Sequence, residues 1–158
     1  MNEIFLSDKL LITIMVKRLR VANLERCIGC YQCVLVCARV NEKALSVDRS
    51  SIKVKTTGGY EGSFAVVVCR GCLDPPCVPV CPIEGAIRPR GRGGGVLVNR
   101  DVCDALKCHQ ECVEACPIPG AIHIDPDLNN AIVCRQCSWC TKFCPTGVLV
   151  MEEPKPGF

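Results

Sequence analysis

The sixteen cysteines of this 158-residue chain constrain its fold more than any other feature. They fall into four groups of four, with no member missing and none left over. The groups are Cys27, Cys30, Cys33 and Cys37; Cys69, Cys72, Cys77 and Cys81; Cys103, Cys108, Cys112 and Cys116; and Cys134, Cys137, Cys140 and Cys144. Such a density of cysteine indicates a disulfide scaffold or a metal protein, and a fourfold repeat of complete quartets favours the metal protein.

The first and last groups have the spacing C-x2-C-x2-C-x3-C, which is typical of bacterial ferredoxins with 4Fe–4S clusters. Short gaps let one loop present three sulfur atoms to a cluster, with backbone amides turned toward it. The x3 gap places the last two cysteines one helical turn apart, so the fourth can reach a neighbouring cluster. Structural zinc sites more commonly use separated C-x2-C knuckles, so iron is the expected metal.

The second group reads C-x2-C-x4-C-x3-C-P and the third reads C-x4-C-x3-C-x3-C-P, which predicts larger cluster loops in both. Such loops either contact a partner or only enclose a cluster, and the spacing leaves both interpretations open. Pro82, Pro117 and Pro145 follow the last cysteine of three groups and should end a short helix there. Ala38 follows Cys37 instead, which predicts a longer helix after the first group.

The N-terminal residues indicate neither export nor a membrane span. Met1–Leu6 lacks the positive charge of a signal peptide, and Lys17 and Arg18 interrupt the apolar stretch Leu10–Val16 before it could cross a bilayer. We therefore expect a cytoplasmic protein whose cysteines stay reduced and bind metal rather than form disulfides. Met15 offers a second translation start, and the sequence leaves the choice of start open.

The formal charge of +3 describes only the metal-free chain. Four oxidised clusters with thiolate ligands would add about −8, and an acidic protein of this kind is a poor partner for nucleic acid. Sixteen ligands for four clusters leave no open iron site, and the chain has no dinucleotide fingerprint and no nucleophile–base pair. We therefore expect an electron-transfer protein that is not itself an enzyme.

Short strand patterns flank each cysteine group and predict a small, loop-rich α+β fold with the clusters as its core. Gly58-Gly59 and Gly93-Gly94-Gly95 predict turns. The predicted strands are Lys17–Leu24, Ile52–Lys55, Phe64–Val68, Val96–Asn99, Ala121–Ile124, Ala131–Val133 and Val148–Glu152.

Ferredoxin logic predicts two tandem, nested ferredoxin-like units. The strand before the first group should lie beside the strand after the last, so residues 17–50 and 131–153 would form an outer unit and residues 51–130 an inserted one. Residues 1–16 would be an N-terminal extension and residues 154–158 a tail. Sequential pairing, of the first group with the second and the third with the fourth, remains the alternative.

The passages Cys69–Cys77, Cys81–Ile87 and Gly94–Cys103 resemble the four-cluster ferredoxin-like electron-transfer subunits of redox complexes. These subunits serve DMSO-reductase-type molybdenum enzymes, formate dehydrogenases, hydrogenases and tungsten aldehyde oxidoreductases. The likeness covers about Arg18 to Met151. The chain departs from the family in the looser spacing of its third group and in lacking a long insertion in its fourth.

The resemblance implies four 4Fe–4S clusters with nested ligands. Cluster one would take Cys27, Cys30, Cys33 and Cys144; cluster two, Cys69, Cys72, Cys77 and Cys116; cluster three, Cys103, Cys108, Cys112 and Cys81; and cluster four, Cys134, Cys137, Cys140 and Cys37. It also implies a relay subunit whose partner is a molybdenum- or tungsten-pterin enzyme, such as an aldehyde oxidoreductase, more than a hydrogenase. A free polyferredoxin serving several oxidoreductases is the alternative.

Four other features invite a functional interpretation. His109 and His123 are expected near the clusters or at the surface rather than as ligands, because the cysteine quartets are complete. Trp139 either covers the last cluster at a docking face or packs in the fold. The run Arg88, Arg90 and Arg92 is expected in a solvated loop.

Overall fold

The computed structural model describes residues 17–58, 62–91 and 94–153. Within these ranges the chain forms short strands, short helices and long loops, so the α+β prediction is confirmed. The strands are β1 (Arg18–Val21), β2 (Lys53–Thr56), β3 (Phe64–Val67), β4 (Ile87–Pro89), β5 (Val96–Val98), β6 (Ile122–Ile124), β7 (Ala131–Val133) and β8 (Leu149–Glu152). The helices are α1 (Gln32–Glu42), α2 (Glu111–Glu114) and α3 (Trp139–Phe143). The predicted extension 1–16 and tail 154–158 lie outside the described residues, as do Gly59, Arg92 and Gly93.

The strands form antiparallel pairs: β1 with β8, β2 with β3, β4 with β5, and β6 with β7. In the first pair Arg18 lies opposite Glu152 and Val21 opposite Leu149. The strand before the first cysteine group therefore lies beside the strand after the last group, as predicted. The pairing of β6 with β7 joins the two sides of the predicted boundary at residues 130 and 131, and the division into two units stays a prediction.

The predicted strands are all present, β7 with the predicted ends and the others with shifted ends, and β4 was not predicted. The first strand ends at Val21 rather than Leu24, because Leu24–Arg26 forms a 3-10 turn that leads into Cys27. β4 is a three-residue Ile-Arg-Pro segment whose arginine and proline do not indicate a strand. It forms only because β5 lies beside it, and the N–H of Arg90 donates to the carbonyl of Gly95 (2.9 Å) to close the pair.

Helix length follows the residue after each final cysteine. α1 has eleven residues and passes through Cys37 and Ala38 to end at Lys43, which is left-handed with a φ of 53°. α2 and α3 have four and five residues and end before Pro117 and Pro145. The prediction of a longer helix after the first group is confirmed. The helix can continue past Cys37 because Ala38 has the backbone N–H donor that a proline would lack. α1 packs against α3.

The core consists of cysteines surrounded by aliphatic side chains. Leu19, Val34, Ile52 and Val96 are almost completely buried and pack among the cysteine loops. Glu42, on α1, forms an ion pair with Arg100, which follows β5. This pair links two segments that are distant in sequence. None of the helices in the described ranges is both long and apolar enough to cross a membrane.

Candidate metal centres

The cysteine loops contain an unusual concentration of left-handed backbone. Gly29 and Gly71 occupy the same place in two Cys-x-Gly-Cys segments, with φ of 63° and 65°. Five of the seven non-glycine residues with positive φ in the described ranges also lie inside cysteine loops: Tyr31, His109, Gln110, Gln136 and Ser138. Alternating right- and left-handed residues turn successive N–H groups to one side and form the anion-binding nests found at many iron–sulfur sites. Such loops suit a negatively charged cluster.

The first cysteine set lines one cavity with sulfur from both ends of the chain. Cys27, Cys30 and Cys33 meet Cys144 there. Burial raises the pKa of Cys33 to about 11. Burial also acts to raise the pKa of Cys144, but hydrogen bonds outweigh it and lower that pKa. Its Sγ accepts from the N–H of Val148 (3.3 Å) and lies 3.8 Å from the Thr146 hydroxyl.

The second cysteine set lines a separate cavity with apolar walls. Its sulfur atoms belong to Cys69, Cys72, Cys77 and Cys116. Burial, followed by the charge of Cys69, raises the pKa of Cys77 to about 12. Burial also raises the pKa of Cys69.

The third cysteine set is Cys103, Cys108, Cys112 and Cys81. Burial raises the pKa of Cys112 to about 11, and the charges of the other three add to the rise, so their sulfur atoms lie close together. The Cys103 Sγ accepts from the N–H of Ala131 (3.4 Å).

The fourth cysteine set is Cys134, Cys137, Cys140 and Cys37. Burial, with the charges of Cys37 and Cys137, raises the pKa of Cys140 to about 12. Burial also holds the pKa of Cys134 well above its usual value. The Asn41 amide donates to the Sγ atoms of Cys37 (3.6 Å) and Cys137 (3.8 Å), so one side chain joins sulfur atoms from opposite ends of the chain.

Neighbouring sets also lie within electrostatic range of one another. The charge of Cys33 in the first set raises the pKa of Cys140 in the fourth. Cys69 in the second set acts in the same way on Cys134 in the fourth. Cys112 in the third set raises the pKa of Cys77 in the second. These interactions link the first set to the fourth, the fourth to the second, and the second to the third.

These donor sets fit iron–sulfur clusters. In the described ranges no three His, Cys, Asp or Glu side chains are gathered closely enough to hold a single metal ion. The first two sets instead each surround a cavity with four sulfur atoms, which is the number of thiolate ligands that a 4Fe–4S cluster takes. Thiols with raised pKa values keep their protons at neutral pH, so a metal must displace those protons to bind.

Among the described residues, neither the two histidines nor Arg88 and Arg90 form a hydrogen bond with a cysteine sulfur. The Nε2 of His123 lies 2.8 Å from the Asp48 carbonyl, and burial lowers the pKa of this imidazole. His109 is exposed. Arg88 is exposed, whereas Arg90 donates to the Arg135 carbonyl beside the last cysteine group.

Trp139 lies at the surface of the fourth set, at the start of α3. It is 43% exposed, and Lys142 Nζ lies 4.7 Å from the centre of its ring. Phe143, one helical turn later, is also exposed. The position allows a docking role without requiring it.

Sequence reasoning missed four residues that support the cysteine sets: Arg18, Asn41, Gln136 and Thr146. Asn41 follows Cys37 by four residues on α1, and helical periodicity could have placed it beside that sulfur. The Gln136 amide bridges distant segments, because its Oε1 accepts from Leu19 N–H (2.6 Å) and its Nε2 donates to the Cys69 carbonyl (3.1 Å). No local pattern indicates a bridge of this kind.

Residues 60–153 match the model of the family described as "4Fe-4S dicluster domain". Among curated proteins, the chain is 31% identical over 129 residues to the beta subunit of the NADH-dependent phenylglyoxylate dehydrogenase of Aromatoleum evansii, covering 78% of this chain and 28% of that protein. It is 32% identical over 95 residues to a tetrathionate reductase subunit of Salmonella typhimurium, covering 57% of this chain and 38% of that protein. It is 30% identical over 146 residues to the putative electron transport protein YsaA of Escherichia coli, covering 84% of this chain and 87% of YsaA.

The chain thus spans 28% and 38% of the length of the first two relatives, and nearly all of the third. The predictions of 4Fe–4S clusters, of cysteines for four of them, and of an electron-transfer protein that is not itself catalytic are confirmed. The chain belongs to the 4Fe–4S dicluster domain family.

Proposed function

We propose that this chain is the electron-relay subunit of an oxidoreductase complex and that its clusters have nested ligands. Cluster one takes the first cysteine set, cluster two the second, cluster three the third and cluster four the fourth. The cavities that bring Cys144 to Cys27, Cys30 and Cys33, and Cys116 to Cys69, Cys72 and Cys77, support this assignment. Residues 17–50 and 131–153 then serve clusters one and four, and residues 51–130 serve clusters two and three.

The observation that carries the proposal is the succession of the four sets. Helix α1 carries Cys33 of the first set and Cys37 of the fourth, and the Gln136 amide joins the loop of the fourth set to the Cys69 carbonyl of the second. The charge of Cys112 in the third set reaches Cys77 in the second. When bound, 4Fe–4S clusters accept and donate single electrons. The chain buries at least one sulfur ligand in the second, third and fourth sets and donates N–H groups to sulfur. Burial and hydrogen bonds to sulfur are means by which a protein tunes cluster potentials.

We propose a catalytic partner of the molybdenum- or tungsten-pterin type, such as an aldehyde oxidoreductase. The resemblance of the Cys69–Cys77 passage to relay subunits of those enzymes supports this partner, and two relatives are themselves named as subunits. The exposed Cys30 and the 61% exposed Ile28 leave the first set open for electron exchange. A reducing compartment such as the cytoplasm would keep the thiolates available.

A free polyferredoxin is the second candidate. The likeness to YsaA favours it, because this chain covers 87% of a protein named only for electron transport. Such a protein would carry the same four clusters without a permanent partner.

Purification without oxygen tests the proposal. Four cubanes predict about sixteen irons and about sixteen acid-labile sulfides per chain, together with a larger companion that contains a pterin cofactor. Full clusters without a companion would favour the free polyferredoxin. Zinc in place of iron, or well under twelve irons after reconstitution, would overturn both.

A further inference from the structure

Arg18 is a buried cation that has no paired anion among the described residues. It is only 5% exposed, although it lies on β1 close to the end of the described chain. Its Nη1 donates to the Gly71 carbonyl (3.3 Å), while its Nε is buried and has no hydrogen-bond partner among the described residues. No carboxylate in the described ranges forms an ion pair with it.

In the part of the chain that the structure describes, the other charged side chains buried to this degree are paired with an opposite charge. The Asp125 carboxylate pairs with Arg49 (3.4 Å), and Glu42 pairs with Arg100. Removing a guanidinium from water is expensive unless a negative charge compensates for it. The structure around Arg18 must therefore supply a negative charge other than a described carboxylate.

The place of Arg18 identifies that charge. Gly71, whose carbonyl it contacts, lies in the cysteine loop between Cys69 and Cys72. A Cβ on Gly71 would lie 3.2 Å from the Arg18 side chain and 3.4 Å from the Gln136 amide, so both side chains press against this loop. An oxidised cluster with its four thiolates carries about −2 there, and the Gln136 bridge brings the fourth cysteine set to the same point.

We propose that Arg18 is the buried counter-cation of cluster two and raises the reduction potential of that cluster. The inference rests on the proposed function, because it needs a cluster held by the second set. Reduction adds a negative charge to a group that is already anionic. A cation held nearby in a poorly solvated site stabilises the reduced form more than the oxidised form. Arg18 thereby acts at the junction between the fourth and second sets, in the middle of the relay.

Arg20 provides a matched control. It lies two residues later on the same strand, but it is exposed and pairs with Glu152 (3.7 Å) across the β1–β8 pair. Solvent and ions screen such a charge, so it should contribute little to any cluster potential. Arg18→Gln replaces the buried charge with a neutral polar side chain, and Arg18→Met replaces it with an apolar one. Arg18→Lys keeps the positive charge.

Potentiometry followed by electron paramagnetic resonance tests the proposal on the intact four-cluster protein. In Arg18→Gln and Arg18→Met, the cluster whose signal is altered by Cys72→Ser should become harder to reduce by at least tenfold, or about 59 mV for one electron. The other clusters should move less. Arg18→Lys should retain most of the original potential, and Arg20→Gln should retain all of it.

Iron and sulfide content separates failure of this inference from failure of the proposed function. Four clusters with an unmoved potential in Arg18→Gln and Arg18→Met would overturn the counter-cation role alone. An Arg18→Lys potential as low as that of Arg18→Gln would do the same, because it would show that guanidinium shape rather than charge matters. Fewer than four clusters in the unmodified protein would overturn both.

Discussion

The first and third cysteine sets differ in how far their cysteines are exposed to solvent. In the first set Cys30 is exposed, and the other three cysteines are partly exposed. In the third set Cys103, Cys108 and Cys112 are only 8%, 5% and 4% exposed, and Cys81 alone is partly exposed. The tight C-x2-C-x2-C loop of the first set lies at the surface, where Ile28 and Cys30 face outward.

Packing of a neighbouring segment covers the cysteine loop of the third set. The Asn130 amide donates to the Cys103 carbonyl (2.6 Å), and the N–H of Ala105 donates to the Asn129 carbonyl (2.8 Å). These bonds hold the segment between β6 and β7 over the loop. The comparison teaches that packing rather than loop spacing sets the exposure of a cysteine set. The fourth group has the same tight spacing as the first, yet Cys134, Cys140 and Cys37 are each only 5% exposed.

Removal of all the iron should have the largest effect, because it tests whether the cysteine sets are the core at all. Buried cysteines with raised pKa values would remain as neutral thiols around empty cavities, and we expect the chain to unfold. Circular dichroism of a chelated sample should lose its native signal and regain it when iron and sulfide are restored. A native-like spectrum in the cluster-free sample would contradict this expectation.

Single ligand substitutions sharpen the comparison between the two sets. Cys112→Ser, at a buried position, should destabilise the protein by about 4 kcal/mol or more, because it disturbs a metal site inside the core. Cys30→Ser, at an exposed position, should change stability much less while altering its own cluster. Thermal unfolding under anaerobic conditions measures the difference, and equal losses of stability would show that exposure does not separate the two sets.

The pH dependence of cluster loading should differ between the sets in a smaller way. Burial raises the pKa of Cys112 to about 11 and also raises that of Cys103, so iron must displace tightly held protons in the third set. The first set contains one comparable thiol, Cys33, but hydrogen bonds lower the pKa of Cys144. Loading should therefore decrease as the pH falls from about 8.5 to about 6.5, and the third set should empty first.

Anaerobic reconstitution across that pH range, with iron counted at each step, measures the effect. Loss of both clusters at one common pH would show that the thiol pKa values do not govern the order. Loading that is independent of pH would contradict the role of thiol deprotonation.

Thr146→Val should have the smallest effect. It removes the hydroxyl that lies 3.8 Å from the Cys144 sulfur but keeps the N–H bond from Val148 (3.3 Å). Hydrogen bonds to sulfur favour the reduced cluster, so the reduction potential of cluster one should fall slightly. The fall should be less than about 59 mV, which corresponds to a change of less than tenfold in the equilibrium constant for reduction. Thr141→Val, whose hydroxyl bonds the Ser138 carbonyl instead, is the control. Equal shifts in both variants would rule out a specific contact with Cys144.

Local patterns predicted much of this fold. Cysteine spacing gave the number of clusters, and the absence of proline after Cys37 predicted the long α1. Ferredoxin logic predicted the pairing of β1 with β8. These features depend on residues close in sequence or on the fourfold repeat of cysteine groups in this chain.

Contacts between distant segments could not be predicted in the same way. β4 exists only beside β5, and the bond from Arg18 to Gly71 spans 53 residues. The Gln136 bridge to Leu19 spans 117 residues. An arginine in a short strand normally indicates an exposed face, so only the packed chain shows that Arg18 is buried while Arg20 is not.

The nested origin of the ligands is the central claim, and iron release from two variants tests it most directly. A chelator should remove the iron of the exposed cluster in a fast phase, ahead of the buried clusters. Nested pairing predicts that Cys144→Ser alters this fast phase and that Cys81→Ser leaves it unchanged. Sequential pairing of the first group with the second predicts the reverse, and a fast phase that responds to Cys81→Ser but not to Cys144→Ser would contradict the account.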